Sequence, residues 1–103
     1  MNSDRSQFLN LRRLPGRLTA EQAAWLLGLS LADIPILMGA GLLKPLGKPA
    51  ANAPRYFARN GIEELAADGA WLDKASAALA RYWRSRNARL RGQSRSRASL
   101  PGA

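Results

Sequence analysis

The chain has 103 residues, no cysteine, no histidine and a formal net charge of +9 at pH 7. That length holds one domain with flanking arms, and an apolar content of 47% is enough for a packed core rather than a disordered chain. The missing residue types exclude disulfides, thiolate nucleophiles and His/Cys metal sites, and neither a metal nor a cofactor is expected.

The excess charge sits at the two ends of the chain. Residues 1–19 carry Arg5, Arg12, Arg13 and Arg17 against Asp4. Residues 20–70 are nearly neutral, with Lys44, Lys48, Arg55 and Arg59 opposed by five acids. Residues 71–103 carry seven arginines and Lys74 against Asp73. Basic flanks of this kind concentrate a polyanion by counterion release; on the plainer reading they only keep the protein in solution.

Residues 1–17 lack periodicity, have no apolar core of the signal-peptide kind and end in the turn-like Leu14-Pro15-Gly16, so they read as a basic arm. Thr19-Ala20-Glu21-Gln22 is a capping box. It opens a helix over 20–27, with Ala23, Ala24, Leu26 and Leu27 on one face and Gly28 as a left-handed stop. Ser30 is the next N-cap candidate, with Asp33 three residues on, and Ile34, Leu37 and Met38 continue at helical spacing to Gly41. Pro35 leaves two starts open. If Leu31 is the first helical residue, Pro35 deletes a hydrogen bond; if Asp33 caps, Pro35 lies in the first turn.

The run from Ala23 to Leu43 contains one charge and is long enough to raise the question of a membrane span. Asp33 at mid-span and the glycine breaks argue against it, and no membrane partner is expected.

Leu42–Leu46 reads as a strand, 47–54 as a loop and Arg55–Arg59 as a second strand, together a two-stranded wing. Asn60 is expected to cap a helix with Glu63 at its third position and Ile62, Leu65 and Ala66 inward. A longer amphipathic helix follows from Trp71 to about Leu90, with Leu72, Ala75, Leu79, Tyr82 or Trp83, and Leu90 as its apolar positions. From Gly92 the composition predicts a disordered tail. The chain thus divides into an arm (1–17), a body (18–70), an arginine-rich helix (71–91) and a tail (92–103).

Helix, glycine turn, helix, two-stranded wing, helix is the order of a winged helix-turn-helix, a mainly α fold with a small sheet. The sequence resembles the MerR/excisionase-like DNA-binding family. The residues that carry this are Leu18-Thr19 opening the first helix and Ala23-Ala24-Trp25-Leu26-Leu27-Gly28-Leu29-Ser30 against the family's A-x-x-L-G-V-S turn. They also include Gly41-Leu42-Leu43 leaving the second helix and Arg55-Tyr56-Phe57 followed by Asn60-Gly61-Ile62-Glu63-Glu64-Leu65 against R-Y-x-x-x-D-I-x-x-L. The likeness covers residues 18–68. It implies a DNA-binding transcription regulator or an excisionase-like architectural accessory protein of bacterial or phage type, cytoplasmic and nucleoid-associated, with double-stranded DNA as partner. MerR-type relatives dimerise through a helix after the wing, and the arginine-rich helix stands in the corresponding place, so a homodimer is compatible with the resemblance.

In such a module the second helix enters the major groove while its amino end and the wing meet phosphates. The residues expected at DNA are therefore Ser30, Lys44, Lys48, Arg55, Tyr56 and Arg59. To these are added Arg12, Arg13 and Arg17 of the arm and Arg81, Arg84, Arg86 and Arg89 of the long helix. The sequence departs from the family where bases would be read. The outward positions of the second helix are Leu31, Ala32, Pro35, Ile36, Gly39 and Ala40, without the Arg, Lys, Asn, Gln or Ser that read base edges.

Two compatible explanations stand: phosphate gripping with weak or shape-based specificity, and an apolar patch at Leu31, Pro35 and Ile36 that meets a second copy or a protein partner. Leu79 and Trp83 of the long helix pack either on the body or on a second copy. The plainer account is that the second helix is covered by the long helix. An adaptor that has lost base readout, its arginines serving an acidic partner, is the alternative function. Catalysis is not expected: no nucleophile-plus-base pair, phosphate loop or metal cluster is visible.

Overall fold

Thr19 fixes where the helical body begins. In a computed structural model that describes the backbone of residues 3–102 and the side chains of residues 4–89, the Thr19 hydroxyl accepts from the Gln22 N–H at 3.1 Å and Gln22 Oε1 accepts from the Thr19 N–H at 3.0 Å. The expected capping box is complete. The chain is mainly helical with one two-stranded antiparallel sheet.

The first element, α1 (Ser3–Leu9), lies where the sequence suggests an irregular arm. A seven-residue helix has little stability of its own; this one is held by Phe8, 5% exposed, whose ring meets Trp25 at 5.6 Å. Strand β1 (Arg17–Thr19) leads into α2 (Ala20–Leu27), which buries Ala23, Ala24 and Leu27. Gly28 ends α2 at φ +74°, and the Leu29 N–H returns to the Ala24 carbonyl at 2.8 Å. The left-handed stop is as the sequence indicates.

Helix α3 (Asp33–Gly39) starts after a turn at 30–32. Asp33 Oδ2 accepts from the Ser30 N–H at 3.1 Å, but Ser30 does not cap with its hydroxyl. Pro35 falls in the first turn, where its missing N–H costs nothing. Ile34 and Leu37 are buried.

The sheet differs from the expected wing. Residues 42–46 form no strand: Pro45 has no N–H to donate and Gly47 turns the chain at φ +66°. A single bond remains, from the Leu46 N–H to the Tyr56 carbonyl at 2.7 Å. Strand β2 (Tyr56–Ala58) pairs instead with β1, in the register Arg17↔Ala58, Leu18↔Phe57 and Thr19↔Tyr56. Leu18 and Phe57, at 0% and 1% exposure, put this pair at the centre of the core.

Helix α4 (Arg59–Ala66) begins one residue before the expected Asn60 cap. The Arg59 N–H donates to the Gly16 carbonyl at 2.9 Å, so backbone preceding β1 satisfies the helix start without a side-chain cap. Helix α5 (Gly69–Gly102) then runs well past Leu90, through the stretch where the composition predicts a disordered tail. No proline stands between 69 and 100, and alanine, leucine and arginine are strong helix formers. Trp71, Ala75 and Leu79 recur every four residues as its buried stripe. Tyr82, one of the two apolar alternatives there, is 39% exposed, while Trp83 packs on the core.

Among the described residues no helix is long and apolar enough to cross a membrane. The apolar run from Ala23 to Leu43 is divided between α2, α3 and their turns.

Candidate nucleic-acid interface

Two long-range hydrogen bonds set α3 in place. Trp71 Nε1–H donates to the Leu42 carbonyl at 3.0 Å, just beyond the end of α3. Trp83 Nε1–H donates to Asp33 Oδ1 at 3.1 Å, at its start. Helix α5 therefore grips α3 at both ends, and the two oxygens of Asp33 are shared between α5 and the Ser30 amide. Fifty residues separate Asp33 from Trp83, and no local pattern in the sequence signals their contact.

This geometry places Leu79 and Trp83, for which the sequence leaves the body or a second copy open, against the chain's own body. Leu79 is 8% exposed and belongs to the core. Trp83 is half-buried and bonded to the chain's own α3. Leu31 and Pro35 stay exposed, with Leu31 at 50%. Ile36 is half-buried against the core, so α5 covers α3 in part.

The basic residues fall into two groups. Arg55 is half-buried, and its guanidinium donates to the Ala53 carbonyl at 3.0 Å and the Ala51 carbonyl at 3.4 Å. It closes the 51–55 loop from within rather than presenting its fork to a ligand. Arg59 donates through Nη1 to the Leu14 carbonyl at 2.9 Å and approaches Glu63 at 3.7 Å, tying the chain before β1 to α4. Both were expected at phosphates, and both serve their own backbone; a count of charges does not reveal where a guanidinium points.

The second group is exposed: Arg12, Arg13, Arg17, Lys44, Lys48, Arg81, Arg84, Arg86 and Arg89. Among the described residues the one ion pair is Arg59–Glu63, so none of this group is neutralised by an acid. Arg17 lies over the half-buried Tyr56 ring, 3.9 Å from its centroid, which holds its charge at the surface of the ribbon. The Leu46–Tyr56 bond brings the loop that carries Lys44 and Lys48 alongside that ribbon.

On α3 and the residues that flank it, Leu31, Ala32, Pro35, Gly39 and Ala40 are exposed and offer no side-chain donor or acceptor. Ser30 is exposed, but its amide is taken by Asp33. A groove of about 550 Å³ runs between α3 and α5, and a hollow of about 370 Å³ lies on the other side of Pro35, bounded by Ala20, Leu31 and Arg55. No protein-family model matches the chain, and neither a characterised protein nor a solved structure matches it.

Proposed function

We propose that the chain is a DNA-binding protein of winged helix-turn-helix type. It holds duplex phosphates through Arg12, Arg13 and Arg17, through Lys44 and Lys48, and through the α5 arginines, with little base readout by α3. The observation that carries this is the set of exposed cations on three parts of the chain that, among the described residues, make no ion pair. Among the described residues no acid pairs with them, and a phosphate backbone would compensate their charge with release of counterions. The succession of α2, the Gly28 turn and α3, with β2 after α3 pairing back to β1 before α2 and a basic loop beside that ribbon, supports the same reading. Such a grip suits a regulator or an architectural factor whose selectivity comes from duplex shape.

The bare α3 face favours a second reading, a protein adaptor, because hydrogen-bonding side chains for base edges are missing where that helix is exposed. The two readings separate experimentally. Lys44→Glu with Lys48→Glu is predicted to lower affinity for random-sequence duplex at least tenfold, uniformly across sequences, with an unchanged circular dichroism spectrum. Full affinity in this double variant would remove the loop from the interface. Arg55 is unsuited to this test, since its replacement opens the loop it closes.

A further inference from the structure

We propose that the groove between α3 and α5 docks an acidic amphipathic helix of a partner protein. The groove is held open by its own supports, since the Trp71–Leu42 and Trp83–Asp33 bonds fix α5 against both ends of α3. Its floor is apolar, formed by Pro35, Ile36, Gly39, Ala40, Ala78 and Tyr82. The groove is open at Gly39, where an added Cβ would meet nothing within 4 Å. The α5 wall is basic. Arg81, Ser85 and Arg89 line it and follow one another every four residues, so they share a face of the helix, and both arginines are exposed and make no ion pair among the described residues.

Charge and polarity together select the occupant. A phosphodiester backbone would satisfy Arg81 and Arg89 but leave the apolar floor in water. A second copy of this chain, at +9, would bring arginine against arginine. An amphipathic helix with an apolar stripe and acidic flanks satisfies both parts, in the helix-in-groove mode. Arg81 and Arg89 are about 12 Å apart along α5 at 1.5 Å per residue, so the partner's acids stand two turns apart, with apolar residues between them. This inference deepens the adaptor reading, and because Arg81 and Arg89 are also among the cations assigned to phosphates, peptide and duplex are expected to compete for them.

The test is anisotropy of a fluorescein-labelled 16-residue peptide with leucines at i, i+3 and i+7 and glutamates flanking them, titrated with the full-length chain. A scrambled peptide of the same composition and charge is the control. The patterned peptide is expected to bind at least tenfold more tightly than the scrambled one. Gly39→Glu is expected to reduce that affinity at least tenfold, and Gly39→Ala to retain it. Gly39 is exposed and not at positive φ, so both variants keep the fold; Ser85→Glu, on the exposed opposite wall, gives the same loss. Equal affinity for the scrambled peptide would reduce the effect to general attraction between opposite charges and overturn the proposal. Undiminished binding by Gly39→Glu and Ser85→Glu would do the same. Amide shifts at Ile36, Ala40 and Ala78 caused by random-sequence duplex and not by the peptide would make the groove a nucleic-acid surface instead.

Discussion

Arginine side chains in this molecule have two kinds of surroundings: Arg55 and Arg59 bond to their own chain, whereas Arg12, Arg13, Arg17 and, on α5, Arg81, Arg84, Arg86 and Arg89 are exposed. Arg59 bridges the Leu14 carbonyl and Glu63, so Arg59→Ala removes a tie between the chain before β1 and α4. A net loss of about 1 kcal/mol is expected for a hydrogen bond of this kind, lowering Tm by roughly 4–8 °C in a domain of this size. Arg12→Ala or Arg13→Ala, at exposed positions, should leave Tm unchanged in the same thermal scan. Gly28, at φ +74°, is a second residue where local chemistry decides. Gly28→Ala forces an L side chain into the left-handed region at a cost of about 1–2 kcal/mol, which thermal unfolding would register. Gly28 and the Thr19 box were legible in the sequence because each acts within a few residues of itself. The inward-turned forks of Arg55 and Arg59 were not, because their partners are main-chain carbonyls that no side-chain pattern marks.

Among elements, the relation of α5 to α3 matters most. Buried Trp71, Ala75 and Leu79 supply the packing, and the two indole N–H bonds fix the ends. Trp83→Phe keeps most of the apolar contact but leaves Asp33 Oδ1 without its donor. The expected cost is about 1 kcal/mol, seen as faster amide exchange in α3 with the global fold retained. Leu79→Ala opens a core cavity and should cost about 2–5 kcal/mol, measured by denaturant unfolding. The α2 boundaries and the buried faces of α2, α3 and α4 were readable from period and caps. The pairing of the sheet was not. Three-residue strands carry too little alternation to declare themselves, and β1 and β2 lie some forty residues apart, so their match is made by Leu18 and Phe57 meeting in the core. The expected strand at 42–46 had the right apolar content, but Pro45 denies it a ladder. The long-range meeting of Asp33 with Trp83, which builds the groove, left no trace in sequence for the same reason.

At the scale of the whole molecule, the near-neutral charge of the central residues and the basic flanks take on a spatial meaning. Among the described residues the one ion pair lies within α4, while the exposed cations of the arm, the ribbon, its neighbouring loop and α5 make none. This distribution makes phosphate attraction the central claim, and salt dependence measures it most directly. The decisive measurement is fluorescence anisotropy of the full chain with random-sequence duplex DNA, titrated between about 50 and 200 mM salt. The account predicts binding at low salt and a linear fall of log affinity with log salt. If six or more phosphates are engaged, the loss over that range is about a thousandfold. No binding at 50 mM, or an affinity indifferent to salt, would contradict it.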